Sequence, residues 1–376
     1  MKEIFKKYNE EALKSYDANF FSRENVLFYA QKAGLSNENK EKLSEFMGYA
    51  NEDLKHFMWQ FYYVQFNTSE VFFKDIWQLE RLELPKEAEE LYPGYIKAVV
   101  YLLAAENLKK WSKDTEFDEA QLLERYFERY RHVVSLNLMT HETFGFCRLS
   151  PFMYCYAKPF TLRIGRLNFQ LVTFKEYCEL YENEKGKRLF VAVSDFTYNS
   201  KGLQAVEGFV PVYKCENNKL LAHTFGEKGR LSIEPQEIDL ISYKKILSPG
   251  DVVVTIHIPE GGPLYIDEVK QSIADAKQIL KKYFPPFKAF VCQTWFIDPG
   301  LQGEVIKDGS NMSAFANLFD VISGADNDNH SIFEHVFKVK RQPLEQLVPK
   351  NDFQKRLLDR ALRGEKMYWG YGVLKK

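Results

Sequence analysis

The chain has 376 residues, a formal net charge of -1, and 45% hydrophobic against 27% charged residues. That balance excludes a disordered polyelectrolyte, and the near-zero charge supplies no basic footprint for nucleic acid. The length exceeds what one hydrophobic core usually supports, so two domains are expected.

Residues 1–16 mix Lys and Glu without the apolar stretch of a signal peptide, and no later apolar run approaches about 18 residues. No membrane partner and a cytoplasmic location are expected. From residue 1 to about 139, apolar residues recur at spacings of three and four, most clearly over 40–46, 53–64, 95–111 and 119–138. This pattern predicts a helical N-terminal domain over residues 1–145. Within it Phe57, Trp59, Phe61, Tyr62, Tyr63 and Phe66 form a dense aromatic run, read as core or interdomain packing, with a ligand wall as the alternative.

Beyond residue 145 the period shortens and β formers take over, which predicts a mixed domain over residues 146–376 and an α+β fold class. The expected strands are 160–173, 189–195, 205–213, 220–224, 251–258, 287–297, 332–340 and 368–374. The expected helices are 174–183, 235–246, 267–283, 311–322 and 352–363. Five cysteines without a Cys-x-x-Cys pair read as reduced thiols. Scattered histidines, with no His-Glu-x-x-His pair, predict no metal site.

The most informative stretch begins with the β-branched run Val252, Val253, Val254, Ile256 and Ile258. It passes through the turn His257-Ile-Pro-Glu-Gly-Gly-Pro-Leu264 and continues as a helix with one apolar face at Val269, Ile273, Ala276, Leu280 and Tyr283. Pro285 and Pro286 stop that helix, and a second apolar strand follows. A strand, glycine turn, helix and strand place backbone N–H groups and a helix N-terminus together, where an anion such as phosphate is favoured. The turn is neither a P-loop nor a Gly-x-Gly-x-x-Gly fingerprint, so nucleotide hydrolysis and hydride transfer lose support. Gly261 and Gly262 either cradle a ligand or simply supply positive φ.

His257, at the strand end, is suited to general-base work or is a hydrogen-bonded structural histidine. Glu260 either orients that ring, acts as the base, or is a solvated loop carboxylate. Trp295 and Asp298 reach the same sheet edge as His257 if the two strands are parallel. Ser310 or Asn311 is placed to cap the next helix, and capping alone accounts for both. A Ser310, His257 and Asp298 triad lacks any Gly-x-Ser-x-Gly elbow to support it.

Together these segments resemble a known family. Ile164-Gly-Arg-Leu-Asn-Phe-Gln170, the 257–264 turn, Trp295 to Pro299 with Leu301, and Ser310-Asn311 followed by Phe315 and Phe319 are similar to bacterial acyltransferase domain-containing proteins. These join a helical N-acyltransferase N-terminal domain to a GNAT-like C-terminal domain, and the resemblance covers essentially the whole chain. It implies a GNAT-like mixed sheet flanked by helices, with acyl-CoA or acetyl-CoA as cosubstrate. It also implies acyl transfer to an amine or hydroxyl of a small-molecule acceptor, as in an N-acetyltransferase. Gly261, Gly262, Pro263 and Leu264 would face the CoA pyrophosphate, His257 and Glu260 would be the catalytic base and its orienter, and Trp295, Asp298, Ser310 and Asn311 would line the acceptor side. The usual GNAT signature is Gln/Arg-x-x-Gly-x-Gly/Ala. Here the turn reads Pro-Glu-Gly-Gly-Pro-Leu, and Pro263 removes one N–H donor. That substitution favours an alternative reading, a non-catalytic module that binds or senses CoA or another anionic ligand.

Overall fold

The computed structural model describes residues 2–68, 83–146, 150–174, 178–193, 195–259 and 262–376. They fall into two compact units, Met1–Leu162 and Arg163–Lys376. The first carries α1 (Lys2–Lys14), α2 (Arg23–Lys32), α3 (Asn37–Tyr49), α4 (Glu52–Phe66), α5 (Lys86–Leu91), α6 (Tyr95–Leu103), α7 (Ala105–Lys113), α8 (Glu119–His141) and α9 (Ser150–Ala157). The helical unit therefore extends past residue 145, because α9 docks on α6 and α8. The periodicity expected over 95–111 is two helices that meet at Ala104.

Every residue of α6 is buried, Lys97 included, and the rest of the helix is apolar or aromatic. Tyr130 Oη donates to the Ala98 carbonyl of this helix at 2.9 Å, and Tyr101, on the helix itself, donates from Oη to Gln65 Oε1 at 2.7 Å. In the aromatic run on α4, Trp59 stacks on Tyr62 and spends its indole N–H on the Ala12 carbonyl at 2.8 Å. Trp59, Phe61, Tyr62 and Phe66 belong to the core of this unit.

The second unit is built on a six-stranded sheet of β1 (Thr161–Ile164), β2 (Leu167–Thr173), β10 (Val252–His257), β11 (Phe290–Thr294), β13 (Tyr368–Leu374) and β12 (Phe319–Asp326), in that spatial order. Between β2 and β10 the chain makes β3 (Cys178–Asn183), β4 (Arg188–Ala192), β5 (Tyr213–Glu216), β6 (Lys219–Ala222), β7 (Thr224–Phe225), β8 (Gln236–Asp239) and β9 (Tyr243–Leu247). These form a sheet ordered β7-β4-β3-β9 and another ordered β5-β6-β8. Val253, Val291 and Tyr371 of the large sheet share one apolar cluster with Leu180, Phe190 and Leu247 of the four-stranded sheet. Helix α10 (Ile266–Tyr283) buries Val269, Ile273, Ala276 and Leu280 and packs on β2. The remaining helices are α11 (Asn311–Ala316) and α12 (Asp352–Leu362).

Five sequence expectations are corrected. The helix expected over 174–183 is strand β3 from Cys178 onward, and the helix over 235–246 is the pair β8 and β9. In both, cross-strand pairing within the small sheets overrides local propensity. The helix expected over 311–322 ends at Ala316, because Phe319 to Asp326 pairs with β13. The strand expected over 332–340 is instead a π-helical turn, Ile332–Phe337. The stretch expected as a strand over 205–213 forms no named strand before β5 begins at Tyr213; within it Phe209 makes an isolated bridge with Tyr198.

Candidate functional site

Strands β10 and β11 are parallel, so the ends of both strands reach one edge of the sheet. They pair at Val254↔Phe290 and Thr255↔Val291 and no further. Beyond that point each strand stays paired on its outer side: β10 with β2 as far as His257↔Asn168, and β11 with β13 as far as Thr294↔Gly370. The two central strands therefore part at the end that leads into the turn.

His257 stands on the β10 side of this opening. Its Nε2 lies 2.8 Å from Oε1 of Gln170, a buried side chain on β2. His257 and Gln170 are diagonal neighbours across the antiparallel pair, so the sequence places them on one face of the sheet. With the amide oxygen as acceptor, Nε2 carries the ring proton. Gln293 on β11 is exposed and Thr294 half-buried at the same edge.

The chain then turns through Ile258, Pro259, Gly262, Pro263 and Leu264 into α10. Glu260 and Gly261, the expected orienter and first cradle glycine, lie outside the described residues. Gly262 takes φ +68°, the left-handed conformation that favours glycine. Gly262 and Pro263 are exposed and Leu264 is half-buried. Tyr265 at the N-cap of α10 supplies no side-chain acceptor for the first helical N–H groups, while Asp267 and Glu268 place two carboxylates in the first turn.

The sequence names Arg166 and Gln170 only as part of the Ile164–Gln170 segment that carries the family resemblance and gives neither a role at the site. Arg166, in the β1–β2 turn, donates from Nη1 to the Pro259 carbonyl at 2.9 Å, from Nη2 to the Gly262 carbonyl at 3.1 Å and from Nε to the Pro263 carbonyl at 3.3 Å. Its backbone N–H donates to Ser272 Oγ on α10 at 2.8 Å, and that hydroxyl donates to the Glu268 carbonyl at 2.6 Å. A Cβ on Gly165 would stand 2.4 Å from Ser272 Oγ, so the close approach of hairpin and helix requires glycine there. A lone arginine after a glycine reads as a solvated turn residue. Its partners lie some 95 residues away in sequence, and no local pattern marks them.

The residues expected on the acceptor side are placed differently from one another. Trp295 leaves β11 in a 3-10 turn, Trp295–Ile297, nearly buried between Phe296 and Phe353. Asp298 is 1% exposed and turned into the protein. Its Oδ1 accepts from the Gly300 N–H at 3.1 Å and from Ser323 Oγ at 3.2 Å, and its Oδ2 from the Tyr368 N–H at 3.1 Å. Burial raises its pKa, outweighing the lowering by these donors and by the Arg360 guanidinium. Ser310 is the N-cap of α11, its Oγ accepting from the Ser313 N–H at 3.2 Å, and Asn311 is the first helical residue, exposed. Helix α11 packs on the 295–297 turn and on α10.

An open mixed sheet whose central parallel strands part beside a glycine turn and a helix start is a GNAT-like fold. The chain belongs to the GNAT-like C-terminal domain family, whose model matches residues 161–374. No match is found among the curated proteins. Among solved structures, an acyltransferase mutant in complex with octanoyl-CoA is 16% identical, with a TM-score of 0.55 over 93% of this chain and 88% of that one. An acyltransferase in complex with decanoyl-CoA and teicoplanin gives the same values. An acyltransferase in complex with CoA and 10C-teicoplanin is 15% identical, with a TM-score of 0.52 over 94% and 99% of the two chains. The likeness is one of fold, and its span takes in the helical region as well as the sheet.

Proposed function

We propose that this protein moves an acyl group from an acyl-CoA, acetyl-CoA included, to an amine or hydroxyl of a small-molecule acceptor. The observation that carries this reading is the parting of β10 and β11 after Thr255↔Val291, at the strand end that leads into the Gly262 turn and α10. Such an opening accepts a thioester arm, and a backbone N–H on its inner edge can polarise the thioester carbonyl. Family membership and the acyl-CoA and CoA complexes of the similar structures support the same donor.

In this reading Gly261, Gly262, Pro263 and Leu264 border the CoA diphosphate. His257 is the general base and takes the proton of the acceptor, directly or through water, while Gln170 orients its ring. Glu260 assists that ring. Trp295 borders the acceptor side, while Asp298, Ser310 and Asn311 act by shaping the edge and starting α11. Transfer is direct. Burial pushes the Cys292 thiol on β11 far above its ordinary range, so it is no candidate for an acyl-enzyme nucleophile. A cytoplasmic setting follows from reading five cysteines without a Cys-x-x-Cys pair as reduced.

The test is release of CoA from acetyl-, octanoyl- and decanoyl-CoA with a panel of amine and hydroxyl acceptors. His257→Ala is expected to lower kcat by about 100-fold or more while CoA still binds. Turnover unchanged by the substitution rejects His257 as the base. The second reading, a non-catalytic CoA sensor, rests on the donor that Pro263 removes, and tight CoA binding with no turnover on any acceptor would establish it.

A further inference from the structure

The geometry points to Arg166 as a positioning residue that holds Pro259, Gly262 and Pro263 in place for CoA binding at the start of α10 and brings a positive charge to that point. The inference rests on the acyl-CoA reading above and adds to it the means by which an altered turn meets a diphosphate.

Two features weaken the turn as an anion site. Pro263 has no N–H to offer, and Asp267 and Glu268 bring two negative charges to the first turn of α10, where the helix dipole would otherwise favour an anion. Arg166 answers both. Its guanidinium uses three separate nitrogens on three separate carbonyls, those of Pro259, Gly262 and Pro263, and so ties together the two flanks of the turn. Such bonds from an ionised donor are among the stronger ones, and the planar fork fixes their directions. In a trans peptide the C=O and the following N–H point opposite ways. Drawing the Pro263 carbonyl to Arg166 therefore turns the Leu264 N–H to the other side.

The clamp is itself anchored. Ser272 receives the Arg166 backbone N–H and bonds the Glu268 carbonyl, which fixes the arginine relative to the first two turns of α10. Lysine cannot reproduce this arrangement. Its ammonium is a single point charge and cannot span three carbonyls in a plane.

The experiment measures CoA affinity by calorimetry and, separately, the kinetics with two donors: acyl-CoA and the matching acyl-pantetheine, which lacks the nucleotide and its diphosphate. Arg166→Ala is expected to weaken CoA binding and to raise KM for acyl-CoA by about tenfold or more, with kcat changed by less than about threefold. The KM for acyl-pantetheine should not move, and Arg166→Lys should recover only a minor part of the loss. An equal loss with both donors would mark a merely structural arginine and overturn the inference, as would full recovery by lysine or an Arg166→Ala protein that binds CoA like wild type. Failure of the unaltered protein to bind CoA at all would instead reject the acyl-CoA reading, and this inference with it.

Discussion

Asp298 and His257 both stand at one edge of the sheet, yet their surroundings differ. His257 is half-buried at the opening, with its Nε2 2.8 Å from Gln170 Oε1. Asp298 accepts from three donors, one of them the N–H of Tyr368 seventy residues on in the chain. Removing its carboxylate leaves those donors without an acceptor in a buried place, so Asp298→Ala is expected to lower stability by about 1–3 kcal/mol in urea unfolding. The pH dependence has a definite sign. Because burial raises the native pKa, the native state binds more protons than the unfolded state between the ordinary carboxylate range and the raised value, and the contribution of Asp298 falls as pH rises through that window. The deficit of the variant should therefore be larger near about pH 4 than near about pH 7. A deficit that grows with pH would reject this account. From the sequence, Asp298 reads as a carboxylate at a cleft, since nothing local announces Tyr368 or Ser323. The place of His257 at a strand end is legible because that end is set by its own neighbours.

Elements whose cause is local were read correctly, and elements that depend on a distant partner were not. The β-branched run of β10, the three-and-four spacing of α10 and the proline pair after it each carry their own signal, and the observed bounds differ from the expected ones by a few residues. Helix α11 shows the other case. Ser310 is a cap in sequence and in structure, but Phe319 and Ile322 continue the apolar pattern that began at Phe315, and only pairing with β13 makes them a strand. The short helix leans on its cap. Ser310→Ala is expected to cost about 1 kcal/mol of stability. Turnover per folded molecule should stay within about twofold of wild type if Ser310 does no more than cap. A large loss of kcat with stability unchanged would return Ser310 to the acceptor side. Trp295 also departs from its expected strand. The apolar run continues through Ile297, but pairing with β13 ends at Thr294 and the chain folds into a 3-10 turn.

At the scale of the whole chain, sequence periodicity changes near residue 145, whereas the compact units divide between Leu162 and Arg163. The difference is α9, a helix within the stretch where the period changes, which packs with the N-terminal helices. The groups assigned to the CoA diphosphate and to its clamp, Arg166, Gly262, Pro263, Leu264, Ser272 and the start of α10, all belong to the unit Arg163–Lys376. So do His257 and Gln170. A fragment of residues 159–376, which keeps β1 whole, is thus expected to bind CoA with an affinity within about threefold of the full chain, since a unit with its own core can fold alone. Its far-ultraviolet circular dichroism should show mixed sheet and helix, and its denaturant unfolding should be a single cooperative transition. A fragment that meets both folding criteria and yet fails to bind CoA would show that residues before 159 supply part of the cofactor site. Binding by the fragment without turnover, on acceptors the full chain uses, would assign the helical unit to the acceptor.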